Sequence, residues 1–216
     1  HAQEDEDANQ IRYHKQILQT IIELEDADEF IIALSQLIKR LAVDHLHIVG
    51  DIFDRGPCAD RIMDLLTTYH SIDIEWGNHD ILWMGAAAGS RACIATVIRN
   101  NLKYDNMKIM ENSYGISLRN LTLFAEKIYP QIDPMEAALK AISVLLFKLE
   151  GQVILRNPDY KMEDKLLLHK VDVKRQVVEI GGKEYKIKKE EFPTVSFAAE
   201  SVEEVYQLTE EEENVM

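Results

Sequence analysis

The chain has 216 residues, enough for one sizeable domain, or one and a half small ones, with a hydrophobic core. Its 24 basic and 38 acidic residues give a formal net charge of −14, which repels nucleic-acid backbones and anionic membranes and argues against a nuclease. Apolar stretches fall short of the roughly 20 residues that span a bilayer, and the two cysteines lack C-x-x-C spacing. We therefore expect no membrane span, no disulfide framework, no thiolate zinc site and a location in the reducing cytoplasm.

The first half of the chain predicts an α/β arrangement. Apolar residues recur at helical spacing over Ile11–Ile22 and Phe30–Leu41, which predicts two amphipathic helices. A strand over 45–49 follows, then a loop, a helix from Pro57 to about His70, and a second strand over 72–76. The order strand, loop, helix, strand predicts a βαβ unit.

Downstream the pattern becomes mainly helical and then β-like. Asp133 caps a further helix that we expect to stop at Gly151, and the chain beyond Gln152 is predicted to be β-like. Thr209 opens a capping box at the C-terminal end, which predicts a short helix start or, alternatively, an acidic disordered tail. The remaining predicted elements are helical stretches over 81–104 and 116–129 and a hairpin whose strands, 177–180 and 185–187, flank Gly181 and Gly182.

These patterns predict three segments. Residues 1–100 would form a partial α/β core, residues 101–151 a helical insertion or cap, and residues 152–216 a β-hairpin segment with an acidic C-terminal segment.

Two loops carry the polar residues that point to chemistry. The loop 50–56 reads GDIFDRG and the loop 77–80 reads GNHD, and each comes directly after a predicted strand. In α/β units ligands bind beyond the carboxyl ends of the strands, so the two loops are expected to project side by side into one site.

The residue types in these loops suit phosphate-ester hydrolysis with two metal ions. Asp51 can bridge two divalent cations, and Asn78 offers a neutral amide oxygen as a further metal ligand. His79 can protonate the departing alcohol if a carboxylate holds its ring, and Asp54 is the candidate for that. Arg55 supplies a planar fork that matches two phosphate oxygens.

Each of these residues also has an ordinary structural explanation. Asp and Gly are common turn residues, Asn78 can cap a helix, and Asp54 with Arg55 can form a surface ion pair. These explanations do not account for the joint pattern at two strand ends. His45 and His47 alternate on one strand and are predicted to be partly buried structural residues without a metal role.

The loops resemble the second and third motifs of calcineurin-like metallophosphoesterases, a superfamily of protein phosphatases, nucleotidases and nucleases. Longer strings over 73–90, 92–95, 97–102, 113–119 and 192–195 resemble the class 3 fructose-1,6-bisphosphatases of bacteria. The resemblance implies a calcineurin-like fold and a gluconeogenic, manganese-dependent phosphatase that removes the 1-phosphate of fructose 1,6-bisphosphate. By this resemblance Asp51 is the bridging ligand, Asn78 a metal ligand, Arg55 the phosphate-binding arginine, His79 the general acid and Asp54 its orienting partner.

Part of the family's pattern is missing. The family has an Asp-x-His motif on an earlier strand and two late histidine ligands, but the segment 44–47 has the wrong spacing and His169 lacks the setting of the late motif. Family members are also considerably longer. We therefore expect an internal fragment whose two-metal site is incomplete, because Asp51 and Asn78 alone cannot hold two ions. The fragment is predicted to bind metal weakly and to be inactive alone.

Two alternatives stay open at this point. Another calcineurin-like phosphatase, acting on proteins or nucleotides, would share all five site residues, and only the stretch 83–102 favours a sugar bisphosphate. A non-catalytic scaffold domain is the alternative from a different class. A homo-oligomer is possible, and neither nucleic acid nor membrane is an expected partner.

Overall fold

The structure is a computed structural model that describes residues 8–23 and 27–216. These residues divide into two compact units. The first comprises the described residues up to Ile48 together with Thr68–Ile74, and the second comprises Val49–Thr67 and Glu75–Met216. Helices and short strands are both present, so the mixed α and β composition is confirmed. The division into segments 1–100, 101–151 and 152–216 stays a prediction.

The first unit contains the two predicted helices and the parallel strand pair. Helix α1 spans Ala8–Glu23 and helix α2 spans Ala27–Ala42, and their apolar faces stay largely exposed within the unit. Strand β1 (Leu46–Ile48) pairs in parallel with strand β2 (Ile72–Ile74). The strands are shorter than predicted, but their parallel pairing confirms the expected βαβ order, because parallel neighbours require a crossover.

The second unit is mainly helical and contains a small antiparallel sheet. Its three strands pair in the order β3, β4, β5. Several single turns of 3-10 helix lie between α7 and β3, and a π-helical turn spans Ile109–Ser113. The remaining elements are α3 (Ala59–Thr67), α4 (Asn78–Ala87), α5 (Arg91–Lys103), α6 (Arg119–Ile128), α7 (Pro134–Arg156), β3 (Val171–Asp172), β4 (Val177–Ile180), β5 (Lys183–Lys186), α8 (Val202–Val205) and α9 (Glu210–Glu213).

The helical pattern over 81–104 forms two helices and not one. The chain turns after Ala88, where Gly89 takes a φ of +87° that favours glycine. Ser90 then caps the next helix, because its hydroxyl accepts a hydrogen bond from the backbone N–H of Cys93. The apolar periodicity continues across this break, which is why the pattern alone did not reveal it.

Helix α7 is the centre of the second unit, and its predicted end was wrong. Asp133 caps it as predicted, but the helix continues through Gly151 to Arg156, so the chain just beyond Gln152 is not β-like. A Cβ at position 151 would overlap the buried ring of Tyr206. The glycine therefore serves close packing inside the helix and does not end it.

The main hydrophobic core lies between α7 and the helices α5 and α6 that pack on it, and α4 packs in turn on α5. A smaller cluster joins the far end of α7 to the C-terminal part of the chain. The fully buried members of the main core are Ala95, Ala125, Ala137, Ile142 and Leu145.

The C-terminal segment is held by a buried ion pair. Nζ of Lys148, on α7, donates to Glu212 Oε2 at 2.7 Å and to the Thr194 carbonyl at 2.8 Å, and the side chains of the ion pair are 1% and 0% exposed. The Thr209 capping box is confirmed, since its two reciprocal hydrogen bonds with Glu212 are both formed. An acidic disordered tail was the wrong alternative here, because burying Glu212 opposite Lys148 fixes the segment.

The hairpin of β4 and β5 is also confirmed, with Gly181 and Gly182 at positive φ in its turn. The short strand β3 beside it was not predicted. In the described part of the chain, no helix is both long enough and apolar enough to cross a bilayer.

Candidate active site

The two polar loops approach each other closely within the second unit. Gly50 and Asp51 both take positive φ, +90° and +56°, so the chain turns sharply as the first loop begins. A Cβ at position 50 would collide with the backbone of Glu75 and Gly77. Glycine is therefore needed at position 50, both for its conformation and for the contact between the loops.

Asp80 ties the two loops together. Its Oδ2 accepts hydrogen bonds from the backbone N–H groups of Asp51 at 2.6 Å and Gly77 at 3.0 Å, and its Oδ1 accepts one from Phe53 at 3.2 Å. The residue is 6% exposed. Three N–H donors satisfy a buried carboxylate that would otherwise be costly to desolvate, so Asp80 sets the geometry of both loops.

Asp51 lies directly against the second loop. Its Oδ1 accepts a hydrogen bond from the backbone N–H of His79 at 3.1 Å, and a Cβ at Gly77 would overlap its carboxylate. Asn78 sits between these two contact points as the first residue of α4, and its side chain is exposed. The two residues predicted as metal ligands are thus brought to neighbouring positions.

The structure also brings together the predicted general acid and its orienting partner. Nε2 of His79 lies 2.9 Å from Oδ1 of Asp54, with the side chains 20% and 38% exposed. The separation is that of an ion pair, but the angle is not that of a hydrogen bond, and Oδ1 has no hydrogen-bond partner among the described residues.

Arg55 extends from the first loop with its side chain 66% exposed. Its Nε lies 3.5 Å from Oδ1 of Asp54, and its guanidinium carbon lies 5.2 Å from the ring centroid of Tyr104. Nδ2 of Asn106 donates to its backbone carbonyl at 2.8 Å. The backbone and the side chain of Arg55 are therefore both held by the segment after α5.

An aromatic cluster supports the first loop from within the unit. The ring of Phe53 packs on Trp83 with centroids 4.7 Å apart, and Tyr114 lies 5.4 Å from Trp83. Trp83 is one helical turn after His79 on α4, so the two side chains share a face of that helix. The cluster joins the loop to the helix that carries the histidine.

Several of these supporting residues were missed by sequence analysis. Asp80 had a detectable signal, because an acidic residue at the third position of a helix commonly accepts a bond from the N-cap backbone. Tyr104 and Asn106 had none, since they are about fifty residues from Arg55 and meet it only through tertiary folding.

The histidines on β1 differ from their prediction. His45 and His47 are exposed in the structure and not partly buried, and both face Asp73 on β2. Nε2 of His45 lies 2.6 Å and Nδ1 of His47 lies 2.7 Å from its two carboxylate oxygens, and these contacts lower the pKa of Asp73. The register of β1 and β2 places His47 opposite Asp73, which the spacing within one strand could not show.

The two predicted metal ligands have oxygen atoms of the kind that manganese binds, but they are too few for two ions. Carboxylate and amide oxygens suit this ion, and Asp51 and Asn78 offer one of each at neighbouring positions. Within residues 8–23 and 27–216, no group of three or more His, Cys, Asp or Glu side chains is arranged to hold a metal ion. The described residues by themselves are therefore too few to hold two metal ions.

Comparison with known proteins covers the whole chain. A family model described as Firmicute fructose-1,6-bisphosphatase matches residues 1–216. The protein named "Fructose-1,6-bisphosphatase class 3" from Listeria monocytogenes is 47% identical over 224 residues, which cover 94% of this chain and 34% of that protein. The protein of that name from Phocaeicola vulgatus is 44% identical, over 96% of this chain and 34% of its own length.

The chain thus spans about a third of the length of the curated relatives it matches. No solved structure matches it. Because the family model covers every residue and the relatives align along almost the whole chain, the chain belongs to the Firmicute fructose-1,6-bisphosphatase family.

Proposed function

We propose that this chain is part of an enzyme that hydrolyses the 1-phosphate of fructose 1,6-bisphosphate. Water is consumed, and fructose 6-phosphate and inorganic phosphate are the products. The observation that supports this most is the convergence of Asp51, Asp54, Arg55 and His79 in two loops locked by Asp80. This site lies in a chain whose relatives bear the name of that activity. A calcineurin-like fold for the complete enzyme is part of the proposal.

Each side chain has a role that its position allows. Arg55 is exposed and permanently charged, so it can bind two oxygens of the phosphate through its terminal nitrogens. His79 can donate a ring proton to the sugar oxygen as the phosphorus–oxygen bond breaks. Asp54 lies 2.9 Å from Nε2 of His79, where its carboxylate can orient the ring.

Divalent ions are the remaining requirement, and manganese is the ion we propose. Asp51 and Asn78 would hold them together with ligands from outside this chain, and the ions would activate water and offset the charge on the phosphate. Since two donors are too few for two ions, the 216-residue chain alone is expected to bind Mn²⁺ weakly and to release no phosphate. The complete enzyme is proposed to be cytoplasmic.

Phosphate release from fructose 1,6-bisphosphate tests the proposal. The full-length protein that carries this segment should release phosphate when Mn²⁺ is present and lose that activity with a chelator. His79→Gln should lower kcat at least about 100-fold, the usual loss when a general acid is removed, whereas Asp159→Ala, at an exposed acid away from both loops, should leave it unchanged. Full activity of His79→Gln would refute the assigned role.

The isolated 216-residue chain is the second part of this experiment. A calorimetric titration with Mn²⁺ should show only weak binding, and the phosphate assay should give no signal. Metal-dependent hydrolysis by the isolated chain would show that its own donors are sufficient, contrary to the proposal.

A further inference from the structure

The guanidinium of Arg55 shares an aromatic ring with a second cation. Its Cζ lies 5.2 Å from the ring centroid of Tyr104, and Nζ of Lys103 lies 5.5 Å from the same centroid. Cations at such distances from an aromatic ring are attracted to it, so the ring fixes both side chains in one neighbourhood, with the charges within about 11 Å of each other. This pairing stands out in a chain with a net charge of −14.

Both cations have free capacity for a ligand. The only acidic contact of Arg55 in the described part of the chain is at Nε, which leaves its two terminal nitrogens open. Lys103 is exposed and forms no ion pair with any residue that the structure describes. Phosphate groups are bound in this way, by an arginine fork and by a lysine point charge.

The turn after α5 is also joined to the first loop through the backbone. Asp105 takes a φ of +56°, which reverses the chain directly after the helix. The reversal places Asn106, 9% exposed, where its side chain donates to the Arg55 carbonyl at 2.8 Å. Asn106 is itself fixed by its backbone N–H, which donates to the Asn101 carbonyl at 2.9 Å.

A purely structural role for Lys103 explains fewer of these contacts than a role in binding a ligand. A lysine in the last turn of a helix is favoured by the helix dipole, and that alone would account for its charge. It would not account for the shared ring of Tyr104 or for the partly buried hydrogen bond from Asn106 to the loop that carries Arg55. Tyr104 and Asn106 both contact Arg55, and Lys103 lies near the ring that Arg55 contacts.

We propose that the turn Lys103–Asn106 is the second half of the substrate site, and this rests on the proposed function. Arg55 binds the phosphate that is cleaved, while Lys103 binds the second phosphate of the sugar bisphosphate. Tyr104 and Asn106 are positioning residues, because they hold the side chain and the backbone of Arg55. The turn thereby makes the site selective for a bisphosphate over a monophosphate.

Steady-state kinetics of the full-length enzyme tests this. Lys103→Met removes the charge and keeps the length of the side chain, so KM for fructose 1,6-bisphosphate should rise roughly 10- to 100-fold, as when a charged hydrogen bond is lost. Fructose 1-phosphate, measured as a substrate and as a competitive inhibitor, should bind as before. Lys188→Met, at an exposed lysine after the hairpin, is the matched control. It should change neither the KM for fructose 1,6-bisphosphate nor the binding of fructose 1-phosphate.

The positioning roles have their own readout. Tyr104→Leu removes the ring under Arg55 and should weaken the binding of both substrates, whereas Tyr104→Phe keeps the ring and should behave like the unchanged enzyme. Circular dichroism and thermal unfolding of each variant separate this effect from a loss of folding. Equal kinetics for Tyr104→Leu and Tyr104→Phe would contradict the positioning role.

The failures of the two proposals can be told apart. If the unchanged enzyme releases no phosphate from fructose 1,6-bisphosphate, the proposed function is wrong and the inference is lost with it. If the unchanged enzyme is active but Lys103→Met keeps the same KM for the bisphosphate, the inference alone is wrong.

Discussion

Replacing Asp80 by alanine removes the carboxylate that joins the two loops of the site. The change leaves three backbone N–H groups without their acceptor, those of Asp51, Phe53 and Gly77. A hydrogen bond to a charged group contributes about 1.5–3 kcal/mol, and water can replace part of the loss because the loops are only partly buried. We expect Asp80→Ala to lower the free energy of unfolding of the second unit by about 3–4 kcal/mol.

Asp80→Asn should be milder, for a reason visible in the geometry. An amide oxygen in place of Oδ2 keeps the bonds from Asp51 and Gly77, and only the N–H of Phe53 then faces an amide NH₂. The expected loss is about 1–2 kcal/mol, the cost of one unsatisfied donor. The free energy of unfolding should be highest with Asp at position 80, lower with Asn and lowest with Ala.

The free energy of unfolding of each variant is measured by urea denaturation of the 216-residue chain, with tryptophan fluorescence as the signal. The two tryptophans, Trp76 and Trp83, flank the Gly77–Asp80 loop and both belong to the second unit, so they report on this region. Asp159→Ala, at an exposed acid, is the control. An Asp80→Ala chain that unfolds within about 0.5 kcal/mol of the control, the usual range for surface substitutions, would refute the role given to this carboxylate.

Three further predictions concern the packing around α7. Gly151→Ala should cost about 2 kcal/mol in chemical unfolding, because its Cβ would force the buried ring of Tyr206 to move. Lys148→Met should cost about 3–5 kcal/mol by leaving the Glu212 carboxylate buried alone, and adding Glu212→Leu should restore part of the loss. Burial raises the pKa of Tyr129 to about 12, so the folded chain keeps a proton that the unfolded chain loses above pH 10, and stability should fall by about 2 kcal/mol from pH 10 to 12.

Each of these predictions has a clear contrary result. Gly56→Ala, where a Cβ meets open space, is the matched control for Gly151→Ala, and equal stability of the two variants would contradict the packing argument. A double variant less stable than Lys148→Met would show that the two charges are not a coupled pair. A tyrosinate absorbance titration in which Tyr129→Phe removes no high-pKa group would contradict the shift assigned to Tyr129.

Local features of the chain were predictable where a short sequence pattern has one physical meaning. The caps at Asp133 and Thr209, the Gly181–Gly182 hairpin and the helices α1 and α2 all follow from neighbouring residues. Whether a glycine ends a helix could not be predicted from its neighbours in the sequence. Gly89 does break a helical pattern, while Gly151 lies inside a helix because the partner that requires it, Tyr206, is far away in the sequence.

By itself, the sequence predicted which residues would perform the chemistry, because Asp51, Asp54, Arg55, Asn78 and His79 lie in two short loops after two strands. Only the tertiary structure decided how those loops are held. The hydrogen bonds from the first loop to Asp80, the Phe53–Trp83 contact and the turn that carries Tyr104 and Asn106 act across distances in sequence that no local pattern encodes. Hydrogen bonds and ring contacts form wherever folding brings their partners within reach, so the support of the site could be identified only from the fold.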